Sequence, residues 1–153
     1  MLALDDRDRQ ILTELQADGR LTNAELAERV RLSPSACLRR VNLLMDSGLV
    51  AGTHLVLDQK AAGFAGTAYV SITLDSQDRA RLDAFEAKVR QVPQIQECHL
   101  LAGQSDYLLR VIFHDMADLE RLHSEVLTRL PGVVRVQSQL TLRTVKRTTK
   151  IPV

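Results

Sequence analysis

Apolar residues recur at three- and four-residue spacing through the first fifty positions, and from Thr67 onward they fall at every second position before helical spacing returns. Three short helices are predicted in the first part. The first starts at Asp5, an N-cap candidate with Asp6 and Asp8 in the electropositive first turn, and runs through Ile11, Leu12 and Leu15 to Gly19. The second opens with Thr22 and Glu25 in capping-box spacing and buries Leu26, Ala27 and Val30. Ser33 caps the third, with Pro34 at its first position, where a missing N–H has no helical partner to lose. Cys37, Val41 and Leu44 face inward, and Gly48 supplies the left-handed residue that ends the helix, with Leu49 expected to close the hydrophobic contact. Leu49–Val50 and Thr53–Leu57 alternate weakly around Ala51–Gly52, which predicts a β-pair in the manner of a wing, with His54 either near a phosphate or, as the plainer reading, a surface histidine.

The remainder reads as a duplicated strand–helix–strand unit. Thr67–Leu74 places Ala68, Val70, Ile72 and Leu74 on one face and Tyr69, Ser71 and Thr73 on the other. A helix follows from Gln77 to Gln91 on the stripe Leu82, Phe85 and Val89, then a strand, Ile95–Leu101. After a loop at Ala102–Ser105 come a strand at Tyr107–Phe113, a helix from Asp115 to Leu130 carrying Leu119, Leu122, Val126 and Leu130, and a long last strand, Val133–Val145. Pro93 and Pro131, 38 residues apart, end the two helices in matching contexts. The order βαββαβ is that of a ferredoxin-like split sheet with helices on one face. Its other face, with Tyr69, Ser71 and Thr73, is left open and suits pairing with a second subunit. The fold class is thus α+β: an N-terminal winged helix-turn-helix followed by a C-terminal ferredoxin-like βαββαβ domain.

Two short helices joined by a tight turn behind a supporting helix form the pattern of a helix-turn-helix, with the third helix as the reader. Its expected exposed positions are Ser33, Ser35, Ala36, Arg39 and Arg40, with Pro34 at its head. Guanidiniums there can bond bidentately to guanine, each such pair contributing about 1–3 kcal/mol of discrimination. Charge is informative only locally. The 153 residues have a net charge of +1, yet Arg20 to Met45 holds five arginines against two glutamates. A three-helix packing module with solvated arginines has the same pattern, so spacing leaves both readings open.

Composition removes other classes. Aromatics are 3% with no Trp, which disfavours single-strand binding by base stacking. The two cysteines, Cys37 and Cys98, form neither a disulfide framework nor a zinc pattern, and His54, His99, His114 and His123 lack metal-ligand spacing, so no metal is expected. No phosphate-loop, dinucleotide or nucleophile-elbow motif occurs, so no enzyme is expected. The acidic start and the absence of a long apolar run point to a cytoplasmic protein with no membrane partner.

The stretch L-S-P-S-A-C-L-R-R-V from Leu32 to Val41, I-Q-E-C-H-L from Ile95, G-Q-S-D-Y-L-L from Gly103 and R-L-P-G-V from Arg129 resemble the Lrp/AsnC family of transcription regulators, the leucine-responsive branch above all. The resemblance covers the whole chain and implies a helix-turn-helix domain over 1–50, a wing and linker over 51–64, and an amino-acid-sensing and oligomerisation domain over 65–153. It implies a nucleoid-associated homodimer that assembles into a tetramer or octamer, binds promoter sites in double-stranded DNA and takes a small amino acid, with leucine as the candidate, between dimers. No cofactor is implied.

By motif position, Ser33, Pro34, Ser35, Ala36, Arg39 and Arg40 fall on the recognition helix and Thr22 and Asn23 against phosphate, with base specificity resting mainly on Arg39 and Arg40. Gly103, Gln104, Ser105, Asp106 and Tyr107 form the family's effector loop, with Leu100, Met116, Gln139 and Thr141 around the ligand. Glycine-loop N–H groups suit a ligand carboxylate, and the Asp106 carboxylate suits its ammonium. On turn chemistry alone, Asp106 would be a hairpin residue. Asn42 and Leu43 stand where the family commonly has basic residues, and Met45 where Glu is usual. A sensing or assembly module without DNA binding is the alternative.

Overall fold

The computed structural model describes residues 3–153; Met1 and Leu2, at the head of the expected N-terminal domain, lie outside them. The chain forms two compact units. One comprises the residues up to Val56 together with Lys146–Val153, and the other is Leu57–Val145.

The first unit is built on α1 (Asp6–Ala17), α2 (Asn23–Arg29) and α3 (Pro34–Asp46). Asp5 and Asp8 form a reciprocal capping box at the start of α1, and Thr22 and Glu25 form another at α2. Asp18, not Gly19, closes α1. Ile11, Leu12, Leu26, Ala27, Val30, Cys37 and Leu44 make the core, with Val41 half-buried against it. Arg31 takes a left-handed conformation at φ 54° in the turn between α2 and α3, where the Leu32 N–H returns to the Ala27 carbonyl at 2.9 Å.

Two expectations fail after α3. Gly48 does adopt φ 76°, but Leu49 remains half-exposed and Val50 packs on the core instead. The β-pair of Leu49–Val50 with Thr53–Leu57 is not formed: residues 49–57 contain no strand. An isolated two-stranded ribbon is marginal without a packing surface, and Leu55, Val56 and Leu57 each stand more than two-thirds exposed.

In the second unit, β1 (Gly66–Leu74), α4 (Arg79–Val89), β2 (Ile95–Leu100), β3 (Tyr107–Phe113), α5 (Met116–Arg121) and β4 (Val133–Leu140) give an antiparallel sheet of order β2-β3-β1-β4. Ala68, Val70, Ile72 and Leu74 meet Tyr107, Leu109, Val111 and Phe113 on one sheet face, where Phe85, Val89, Leu119, Leu122 and Leu127 cover them. The predicted helix to Leu130 is interrupted: α5 widens into a π turn at Leu122–Val126 and tightens to a 3₁₀ turn at Leu127–Arg129. The change of pitch brings Leu127, absent from the regular stripe, fully into the core. Strand β4 ends at Leu140, five residues short of the predicted Val145. Beyond Thr141, whose N–H still bonds the Thr67 carbonyl, no neighbouring strand among the described residues remains to pair with it.

Candidate nucleic-acid interface and effector loop

The head of α3 is presented as the sequence suggests. Ser33 caps it by accepting the Ala36 N–H at 3.3 Å, and the Ser33 and Ser35 hydroxyls lie 3.3 Å apart. Ser33, Pro34, Ser35 and Arg39 are exposed, while Ala36 is half-buried. The Ser35 N–H, in the first turn, has no intrahelical partner and is free to meet an acceptor. Among the described residues, no carboxylate pairs with Arg39.

Arg40 departs from expectation. It is three-quarters buried, and its Nη1 donates to Asp5 Oδ2 and to Asp8 Oδ1, each at 2.7 Å. One guanidinium therefore ties α3 to the capping box of α1. The Asp8 and Asp5 carboxylates hold its pKa above the ordinary arginine value, while the Asp8 backbone N–H and then Arg40 hold Asp5 below the usual carboxylate range. Arg40 is a positioning residue of the unit in this geometry, which leaves Arg39 as the exposed arginine on α3.

The head of α2 is likewise committed internally. The Thr22 N–H and hydroxyl donate to Glu25 Oε2 at 2.8 and 2.7 Å, which depresses the Glu25 pKa. Asn23 Nδ2 donates to the Pro34 carbonyl at 2.9 Å and bridges the start of α2 to the start of α3. Its Oδ1 is buried with no partner among the described residues, and an acceptor does not suit phosphate. The Thr22 side chain thus closes the cap of α2, and the Asn23 side chain links the head of α2 to the head of α3.

The expected effector loop lies where β2 ends and β3 begins. Gly103 has open space around its Cα, Gln104 is exposed and Ser105 half-buried, and Leu100 is exposed at the end of β2. Asp106 is only 6% exposed and is already occupied: Oδ2 accepts the Leu74 N–H at 2.7 Å and Oδ1 accepts Gln77 Nε2 at 2.5 Å. Its backbone N–H donates to the Ile72 carbonyl and its carbonyl accepts from Leu101, so this one residue joins β1, β2, β3 and the approach to α4. Tyr107 is a core residue, not a loop residue. It is buried against Phe85 at 4.5 Å between ring centroids, and its hydroxyl donates to Glu86 Oε1 at 3.0 Å. Burial, reinforced by Glu86, pushes its phenol well above the ordinary value.

The other expected effector residues lie elsewhere. Met116 is exposed at the head of α5, just past the end of β3 that pairs with the start of β1. Gln139 pairs with Tyr69, and Thr141 bonds Thr67, also at the start of β1. The loop's Asp106 bonds Ile72 near the opposite end. At about 3.3 Å per residue along a strand, the two groups sit roughly 10–20 Å apart. Within one chain the expected residues therefore fall into two separated groups, one at the loop end of the sheet and the other toward its far end. Sequence spacing gave no sign of Gln77 as the partner of Asp106, nor of Asp5 and Asp8 as partners of Arg40, because each pair joins separate elements.

The open sheet face holds Tyr69, Ser71 and Thr73 as expected, beside Arg110, whose Nε donates to Glu97 Oε1 at 2.6 Å. Arg110 holds the Glu97 carboxyl below its usual range.

Comparison with known proteins adds independent findings. The sequence matches the family model of the Lrp/AsnC ligand binding domain over residues 67–151 and that of a winged helix-turn-helix DNA-binding domain over residues 4–51. It is 39% identical, over 148 residues covering 97% of this chain and 90% of the relative, to the leucine-responsive regulatory protein of Salmonella typhimurium. A transcriptional regulator from Neisseria meningitidis, solved as a complex with L-Met, superposes with a TM-score of 0.93 at 37% identity, covering 98% of this chain and 97% of that one. An AsnC family transcriptional regulator from Agrobacterium tumefaciens superposes with a TM-score of 0.91 at 31% identity, covering 97% of each chain.

Proposed function

Because the chain belongs to the Lrp/AsnC family of DNA-binding transcriptional regulators, we propose that it reads promoter DNA through α3 and is tuned by a small amino acid with an apolar side chain. The exposed head of α3 carries the reading: Ser35 and Ala36 allow close backbone approach, and Arg39 is the guanidinium placed to meet a base edge or phosphate. Residues 1–50 supply this interface, 51–64 the linker, and 65–153 the sensing and oligomerisation functions.

The proposed effector site is composite. The loop Gly103–Ser105 with Leu100 from one subunit faces Met116, Gln139 and Thr141 from another, since these half-sites are separated within a single chain. Loop N–H groups receive the ligand carboxylate, while Asp106 shapes the loop from behind. Methionine and leucine are the first ligands to try: a solved relative is a complex with L-Met and another relative is named leucine-responsive. The open sheet face and the exposed Leu55, Val56 and Leu57 support a homodimer, with the composite site joining dimers into a tetramer or octamer.

The observation that carries this reading is the separation of the two half-sites. Calorimetric titration with leucine and methionine, paired with sedimentation, tests it. Ligand binding should be lost together with the higher oligomer when Met116 is changed to Asp. Full affinity in a species shown to be monomeric would contradict a composite site.

A further inference from the structure

The last eight residues described, Lys146–Val153, pack within the unit that contains α1 to α3, although most of them fall inside the stretch matched by the ligand-binding family model. The attachment is specific. Gln16, half-buried near the end of α1, uses both ends of its side-chain amide on one residue: Nε2 donates to the Ile151 carbonyl at 2.9 Å, and Oε1 accepts the Ile151 N–H at 2.7 Å. The neighbouring Lys150 N–H is held by the Thr148 hydroxyl at 3.0 Å. Lys146, Arg147 and Lys150 are exposed, and among the described residues none is paired with a carboxylate.

Charge gives this docking a purpose. Residues 1–56 contain seven arginines and eight acidic residues, a net −1 for the unit that must approach a polyanion. The docked segment adds Lys146, Arg147 and Lys150 with no acidic residue and turns the unit to +2. On α3, Arg40 is spent on Asp5 and Asp8, and Asn42 and Leu43 carry no charge. We propose that the segment Lys146–Val153, latched to α1 through Gln16, is a second DNA-contacting element whose three cations neutralise phosphates flanking the α3 site. This inference rests on the DNA-binding reading above.

The test uses the full-length protein with two duplexes, one from upstream of its own gene and one of random sequence, titrated across a salt series. Changing Lys146, Arg147 and Lys150 together to Gln should lower the magnitude of the salt slope on both duplexes by at least about 1 and at most about 2.7 for each subunit on the DNA, at roughly 0.9 per phosphate. The ratio between the two duplexes should stay unchanged, because phosphate contacts carry no sequence information. Gln16→Leu keeps every charge but releases the latch. It should weaken binding by about threefold or more in the parent and have no effect in the triple variant. An unchanged slope in the triple variant overturns the inference, as does a Gln16→Leu effect of equal size in both backgrounds. A parent that binds neither duplex at low salt overturns the DNA-binding reading instead.

Discussion

Asp106 shows how one buried carboxylate can do the work of a loop. Its two oxygens hold the Leu74 N–H and the Gln77 amide, so removing them strands a buried donor at the end of β1. Asp106→Ala should lower stability by about 1–3 kcal/mol, read as a lower urea midpoint, through the unmet N–H of Leu74. Effector response should weaken as the loop loosens. The turn chemistry of the sequence already favoured a structural Asp106, and only the family's motif suggested direct contact with a ligand ammonium. Cys98 makes a second residue-level case: burial, with Glu86 nearby, pushes its thiol up to about 11. It should stay almost wholly protonated at neutral pH and react with iodoacetamide far more slowly than a free thiol, a difference that mass spectrometry resolves. Rapid labelling of Cys98 in the native protein would contradict that burial.

At the scale of elements, the two arginines of α3 differ in their surroundings, Arg39 exposed and Arg40 clamped by Asp5 and Asp8. Arg39→Gln should reduce DNA affinity or base discrimination and leave the thermal midpoint within error. Arg40→Met should instead lower the midpoint of the first unit, because it leaves Asp5 and Asp8 without their cation. Reversing the pair, with Arg40→Asp and Asp8→Arg, should restore part of the loss if the ion pair is what matters. Periodicity made the helices, their caps and the core strands legible: Asp5, Thr22, Ser33, Pro34 and the alternation of Ala68 to Leu74 all act locally. What it could not reveal depends on pairing across the chain. The Arg40 clamp spans 35 residues to Asp5, and the Asp106 hydrogen bonds span 32 to Leu74 and 29 to Gln77. The β-pair expected after α3 and the far end of β4 are absent for the same reason, since a strand pattern specifies a face but not whether a partner strand exists. The π turn that brings in Leu127 likewise answers to packing rather than to helical spacing.

On the scale of the whole molecule, capping and paired carboxylates set its response to acid. Asp5, Glu25, Asp78, Glu97 and Asp118 all have depressed pKa values, chiefly from the Asp8 N–H, the Thr22 hydroxyl, the Ser76 hydroxyl, Arg110 and the His114 N–H respectively. A carboxylate held below its unfolded value contributes stability that is present above that value and lost as the pH falls through the folded one. Thermal midpoints should therefore be flat from neutral pH down to about pH 5 and fall below about pH 4. The same bonds anchor both units: Asp5 and Glu25 cap α1 and α2, and Asp118 receives the His114 N–H ahead of α5. A composite effector site would couple assembly to ligand at this scale, so dilution should weaken the apparent affinity for amino acids.

The most direct test of the central claim is fluorescence anisotropy of the full chain on a duplex from upstream of its own gene, over a salt series, with and without leucine and methionine. Specific binding that weakens steeply with salt and shifts when one of the amino acids is added is the expected result. Absence of binding at low salt would contradict it and favour a sensing or assembly module that does not engage DNA.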